Sequence, residues 1–171
     1  MELLDIMLKR RSVRKYTNEE IPQEKLEKIL QAGLLAPTSR NLKPCEFHVI
    51  RDKEVLRRLA QAKNAGGAML ADCGAAIAVF ADSQKADTWI EDCSIAMSFM
   101  HLMAAKQGVG CCWCQIHLRK TAEGSDAESR VREILAVPQH YGIVGILSLG
   151  MPEKEAPPHK IEELDPAKIH W

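Results

Sequence analysis

The residues best suited to chemistry begin with Arg10-Arg11-Ser12-Val13-Arg14-Lys15-Tyr16, which packs four cations and a hydroxyl into seven positions. A phosphate monoester near neutral pH presents strong acceptor oxygens and nearly its full double charge, and guanidinium forks hold it through charge-assisted, bidentate hydrogen bonds. The same composition also describes a solvated charge cluster with no ligand. A second stretch, Thr38-Ser39-Arg40-Asn41-Leu42-Lys43-Pro44, is dense in side-chain donors, as turn-forming and ligand-facing loops both are. Cys111 and Cys114 have the C-x-x-C spacing of a redox disulfide or half a metal site. No second C-x-x-C exists, and Trp113 between them suits the alternation of a structural strand, so that reading is preferred. Cys45, Cys73 and Cys93 read as small core side chains, and Met97, Met100 and Met103 as packing residues. His48 and His101 read as satisfied buried histidines. Asp87, Glu91 and Asp92 fit the positive end of a helix and need no catalytic role.

These groups must be positioned by one domain, expected to span 1–171, because a chain of 171 residues matches the usual size of a single core. Its 23 Lys and Arg balance 23 Asp and Glu, leaving no global field to attract nucleic acid or an anionic membrane, so an anion site must be local. No apolar run is long enough to span a bilayer, and Met-Glu-Leu-Leu-Asp lacks the pattern of a secretory signal. A reduced cytoplasmic setting with free thiols is therefore expected.

Periodicity places a short amphipathic helix at Leu3, Leu4, Met7 and Leu8, and a second carrying Leu26, Ile29, Leu30 and Leu34 until Pro37 stops it. Phe47 to Ile50 reads as a strand, Asp52 as the cap of a helix through Leu56 and Leu59, and Ala75 to Phe80 as a strand covered on both faces. The segment from Trp89 to Gln107 is apolar around most of its circumference, which predicts a helix needing a partner subunit as cover, and hence a homodimer. Cys111 to Ile116 continues as strand or extended loop, followed by a helix around Val131, Ile134 and Leu135 and a strand from Ile143 to Leu149. The Pro-rich tail to Trp171 is too irregular for a helix and is expected to wrap onto a neighbour. Gly108-Val109-Gly110 is followed by Trp113 where a third glycine would stand, and no Gly-Lys-Ser/Thr loop occurs, which argues against the dinucleotide and phosphate-loop folds.

Four stretches in order resemble the nitroreductase family of FMN flavoproteins. Arg10 to Tyr16 looks like its RRSxRxY opening. Ala36-Pro37-Thr38-Ser39-Arg40-Asn41-Leu42-Lys43-Pro44 resembles its AP(S/T)xxNxQPW loop, with Cys45 in place of tryptophan and Lys43 in place of glutamine. Asp92 to Trp113 is similar to its central helix and Gly-Leu-Gly-Thr-Cys-Trp segment, and Leu149-Gly150-Met151-Pro152 through His159-Lys160 to its Leu-Gly-Tyr-Pro ending. The resemblance implies an α+β fold with a mixed central sheet flanked by helices, in an intertwined homodimer with FMN at the subunit interface. It implies an NAD(P)H oxidoreductase reducing nitroaromatics, quinones or similar conjugated acceptors by a ping-pong flavin mechanism, with no catalytic side chain and no metal. Carried over, Arg10, Arg11, Ser12 and Arg14 would hold the FMN phosphate and ribityl chain with Lys160 and His159. Pro37, Thr38, Ser39 and Asn41 would approach the ring from the other subunit, and Trp113, Cys114 and Gln115 would face it.

Gln115-Ile116-His117 departs from the family pattern, which often has glycine there, and Ile116 cannot take a positive φ cheaply. That motivates one alternative, a flavin-sequestering protein with weak turnover; another is a thiol redox or metal protein built on Cys111 and Cys114. The short interval between Ile50 and Ala75 leaves little room for a lid, so an open pocket of weak selectivity is expected.

Overall fold

In the computed structural model, which describes residues 2–171, the chain runs α1 (Leu3–Lys9), α2 (Gln23–Leu34), β1 (Cys45–Ile50), α3 (Lys53–Ala60), α4 (Met69–Asp72), β2 (Ala75–Asp82), α5 (Trp89–Lys106), β3 (Gly110–Gln115), α6 (Ala127–Leu135) and β4 (Tyr141–Gly150). Short 3-10 turns occupy Ser39–Asn41, Ile161–Glu163 and Pro166–Lys168, so the tail forms no α-helix, as its prolines dictate. Asp52 accepts the Val55 N–H at 2.9 Å and caps α3 as its sequence position suggests. Short α4 follows Gly66-Gly67 without a periodic signal to announce it. Among the described residues, no helix is long and apolar enough to cross a membrane.

The strands order as β1-β2-β4-β3, and every pairing is antiparallel. The sheet expected to be mixed thus acquires parallel pairing, among the described residues, only at an isolated bridge between Ser12 and Cys111. β2 is apolar without alternation because it is an interior strand covered on both sides. Ala76, Ala78 and Phe80 pack with Leu56, Leu59, Leu70 and Val131, whereas Ala75, Ile77 and Val79 pack with Leu26, Ile29, Cys93, Met97 and Met100. Each fully buried Leu, Ile or Met contributes roughly 1.5–3 kcal/mol. β1 lies at an edge and alternates, so His48 points outward and is exposed rather than buried as expected.

A bulge reshapes β4. Val79 opposes Gly145 and Phe80 opposes Ile143, leaving Val144 as the extra residue. The shift sends Ile143 and Ile146 to one core and Val144 and Leu147 to the other. It also frees the Val144 carbonyl to accept the N–H groups of Ile116 and His117, each at 3.1 Å. Gly145 is required here because a Cβ would lie 2.9 Å from the Cys114 carbonyl oxygen and 3.0 Å from Met97 Cε.

α5 is covered on one side only. Cys93, Ala96, Met97, Met100 and Ala104 are buried, but Ile95 and Phe99, one turn apart, keep 37% and 40% of their surface exposed. Leu3, Leu4 and Met7 on neighbouring α1 are also exposed, as is Trp171.

Candidate functional site

α1 ends at Arg10, whose N–H donates to Ile6 O at 2.9 Å, and the chain then runs extended beside the outer edge of β3. Val13 N–H donates to Cys111 O at 3.0 Å, and Thr17 N–H to Met151 O at 2.8 Å. The Tyr16 hydroxyl shares a 2.7 Å hydrogen bond with Ser148 Oγ, fixing the end of the segment to β4. The contact is close enough to demand glycine at 110, where a Cβ would stand 2.8 Å from Val13 Cγ1. The tail returns to the same place: Glu153 N–H donates to Lys15 O at 3.2 Å and His159 N–H to Leu8 O at 2.9 Å. His159 and Lys160 therefore reach the end of α1 within one chain.

Alternation along the extended segment sorts its side chains. The Ser12 hydroxyl hydrogen-bonds the Cys112 thiol and the Arg14 charge acts on it; burial still pushes that thiol up, with Arg14, Ser12 and Lys63 offsetting part of the effect. Arg10 lies instead beside Cys111 and His101. His101 is buried, with Nε2 3.2 Å from Cys111 O. Its pKa is pushed down to about 4, first by burial and then by the Arg10 charge, so the ring is neutral at physiological pH. This is the satisfied core histidine the sequence suggested. Arg11 turns away from Ser12 and Arg14, donating Nη1–H to Pro157 O.

On edge strand β3, the Trp113 indole N–H donates to Gln115 Oε1 at 2.8 Å, and Gln115 Nε2 donates to His117 O at 3.2 Å. Cys111 turns its carbonyl outward to Val13, so Trp113 and Gln115 turn theirs outward by alternation. Lys63 Nζ donates to the Gln115 carbonyl at 2.9 Å. Lys63 escaped sequence reasoning because it follows α3 in a stretch whose only signal was the Gly66-Gly67 break. Ile116 does not adopt a positive φ: the left-handed residue is Leu118, at φ 58°, and the bulged Val144 carbonyl accepts the Ile116 and His117 N–H groups at the turn.

Pro37, Thr38, Ser39 and Asn41 form a second group. Thr38 Oγ1 accepts the Lys43 N–H at 3.0 Å, and Asp92 Oδ1 accepts the Ser39 N–H at 2.9 Å. Arg40, Asn41 and Lys43 all adopt positive φ, of 52°, 54° and 48°. Such strain concentrates at functional loops. Asp92 is 2% exposed and ties the loop to α5, a role beyond the helix dipole and the family-like helix start that the sequence suggests; nothing in its spacing reveals the partner. Arg40 pairs with Asp87.

One chain does not unite the two groups. The loop leads into β1 and the arginines flank β3, the opposite sheet edges, about 14 Å apart across three strand spacings. Along α5, Asp92 and His101 are likewise separated by roughly 14 Å of helix rise.

The C-x-x-C reading fails on geometry. Cys111 packs in the core on the α5 face, whereas Cys114 packs on the α3 and α6 face, so the sheet separates them. All six cysteines are free.

Comparison with known proteins gives a consistent result. The sequence model of the Nitroreductase family matches residues 7–67 and 61–151. The chain is 34% identical to a candidate NADH dehydrogenase/NAD(P)H nitroreductase of Archaeoglobus fulgidus, over 99% of this chain and 97% of that one. An FMN-dependent nitroreductase from Clostridium difficile R20291 superposes with a TM-score of 0.95 at 41% identity, covering 98% of each chain. A structure from Parabacteroides distasonis, described as a candidate NADH dehydrogenase/NAD(P)H nitroreductase, gives a TM-score of 0.89 at 30% identity, covering 99% of this chain and 96% of the other.

Proposed function

The chain belongs to the nitroreductase family, and from that premise we propose that it is an FMN-dependent NAD(P)H oxidoreductase reducing small conjugated acceptors such as nitroaromatics or quinones. The observation that carries this reading is one edge of the sheet. Along it Arg14 and Lys63 lie with the Ser12 hydroxyl beside Cys112 and the outward backbone of Gln115, and Arg10 lies beside Cys111, none of the three cations paired with a carboxylate among the described residues. Cations without carboxylate partners beside the outward backbone of an edge strand suit a planar ring with a phosphate tail. When bound, FMN supplies hydride acceptance from NAD(P)H and electron delivery to an acceptor entering the vacated place, a ping-pong order.

The protein's part is to bind and tune. Arg10 and Lys160, with His159, neutralise the phosphate, and Ser12 holds the chain that carries it. Arg14 and Lys63 add positive charge that favours an electron-rich ring. Pro37, Thr38, Ser39 and Asn41 serve the site of the partner protomer, which accounts for their distance from the arginines of their own chain. The exposed stripe of Ile95 and Phe99 with Leu3, Leu4 and Met7 is the surface we assign to that homodimer. Residues 1–171 act as one domain in a reduced cytoplasm. No side chain is assigned as acid, base or nucleophile.

The test is the absorption spectrum of freshly purified protein, repeated after anaerobic addition of NADH and of NADPH. A flavin band that bleaches with a nicotinamide and returns with an acceptor supports the reading. Colourless protein that cannot be reconstituted with FMN overturns it.

A further inference from the structure

We propose a second phosphate-binding site, on the opposite side of the Arg10–Tyr16 segment from Ser12 and Arg14. A cavity of about 290 Å³ opens between the end of α5 and the tail, and its wall carries Lys9, Arg11, Lys106 and Lys154 against a single acid, Glu155. That is near the lower end of the range for small-ligand pockets. Arg10, Ser12 and Arg14 are not part of the wall. The site is therefore separate from the one assigned to the flavin phosphate.

Three observations point to an anion. First, the whole chain is electrically balanced, at 23 cations and 23 anions, so four cations facing one acid is a local choice. Second, none of the four forms an ion pair among the described residues, although Arg57 and Arg130 take Glu54 and Glu133 elsewhere. Four cations against one carboxylate leave a net positive charge in the wall, and a bound dianion relieves their mutual repulsion. Third, the cavity is prepared for a ligand. The Arg11 guanidinium is tied across to Pro157 O, which removes freedom it would otherwise lose on binding.

The ligand chemistry is a phosphate monoester, which has two sources: the 2′-phosphate of NADPH, or a free phosphate. The first rests on the functional reading above. Gly110 in the cavity wall starts β3, and Cys114 lies about 13 Å further along the strand, a span an extended dinucleotide covers from adenosine ribose to nicotinamide.

The experiment uses FMN-saturated protein and the Lys106→Ala/Lys154→Ala variant, both changes being at exposed side chains. Calorimetric titration with inorganic phosphate and with adenosine 2′-monophosphate should show saturable binding that weakens roughly tenfold in the variant, and in the wild type with added salt, while the flavin spectrum is unchanged. A rise in the KM for NADPH relative to NADH in the variant identifies the 2′-phosphate as the source; an unchanged ratio with weakened phosphate binding identifies a free phosphate. Absence of saturable binding in the wild type, equal binding in both proteins, or joint loss of flavin and phosphate overturns the proposal. Protein that never takes up flavin defeats the functional reading instead, and leaves the titration interpretable.

Discussion

Asp92 Oδ1 accepts the Ser39 N–H at 2.9 Å across 53 positions of sequence, joining the strained Thr38–Pro44 loop to the first turn of the longest helix. Its other oxygen accepts from Thr88 Oγ1 at 3.3 Å. Replacing Asp92 by alanine removes a charged acceptor from a half-buried amide, at a cost of about 2 kcal/mol. For a chain of this size that lowers the melting temperature by about 4–8 °C. Because the loop is assigned to the partner's flavin, FMN affinity should fall with it. Calorimetry and flavin content measure the two effects, and retention of both would detach the loop from the site.

His101 supplies a pH dependence with a definite sign. The imidazole ordinarily titrates near 6.5, and in the fold its pKa is about 4. Between these values the unfolded chain binds a proton that the native one excludes, so stability rises with pH across the window. It is lost as pH falls from about 6.5 toward 4, by at most about 3 kcal/mol. Carboxylates also titrate there, so the measurement is the difference in thermal midpoint between pH 7 and pH 4.5 for wild type and His101→Gln. The variant should show the shallower dependence; equal slopes would mean the ring is not buried in its neutral form.

Elements whose signals are local were readable in the sequence, and those set by distant partners were not. The Asp52 cap, the unbroken apolar run of β2 and the helix carrying Cys93, Met97 and Met100 follow from spacing alone. The outward-facing His48 did not, because a strand's place in the sheet order depends on partners remote in sequence. The bulge at Val144 depends on the register of β2 against β4, and its carbonyl sets the turn after Gln115 by accepting the Ile116 and His117 N–H groups. The arginine segment was legible as an anion grip; the division of Arg11 from Ser12 and Arg14 required the extended backbone beside Cys111. Lys63 carried no motif at all, and the spacing of Asp92 gave no sign of its partner Ser39.

The thiols should react in an order that their surroundings fix. Burial raises Cys73 and Cys114 to about 11, leaving little thiolate near neutrality. Cys45 is half-buried, and a hydrogen bond from the Cys93 thiol lowers its pKa. Iodoacetamide at pH 7.5 followed by peptide mass spectrometry should label Cys45 first. Serine at both Cys111 and Cys114 should leave turnover largely intact, since the sheet separates those side chains. Abolished turnover with flavin still bound would restore a thiol mechanism.

Glu128 holds the other end of the bulge and is only 8% exposed. Its Oε1 accepts the Ile143 N–H at 2.8 Å and lies 3.5 Å from Arg132 Nη2, while Oε2 lies 3.0 Å from His117 Nδ1. Alanine there leaves a buried amide and a half-buried guanidinium without their acceptor, which costs on the order of 3 kcal/mol. The melting temperature should drop by roughly 6–12 °C. Glutamine keeps an acceptor for Ile143 and should cost less than alanine. The loss should also reach the flavin, because Val144 follows Ile143 directly and its carbonyl fixes Ile116 and His117, the turn that ends the Trp113–Gln115 edge. Thermal unfolding and FMN titration of both variants test this, and an alanine variant as stable as wild type would mean that the carboxylate does not anchor the bulge.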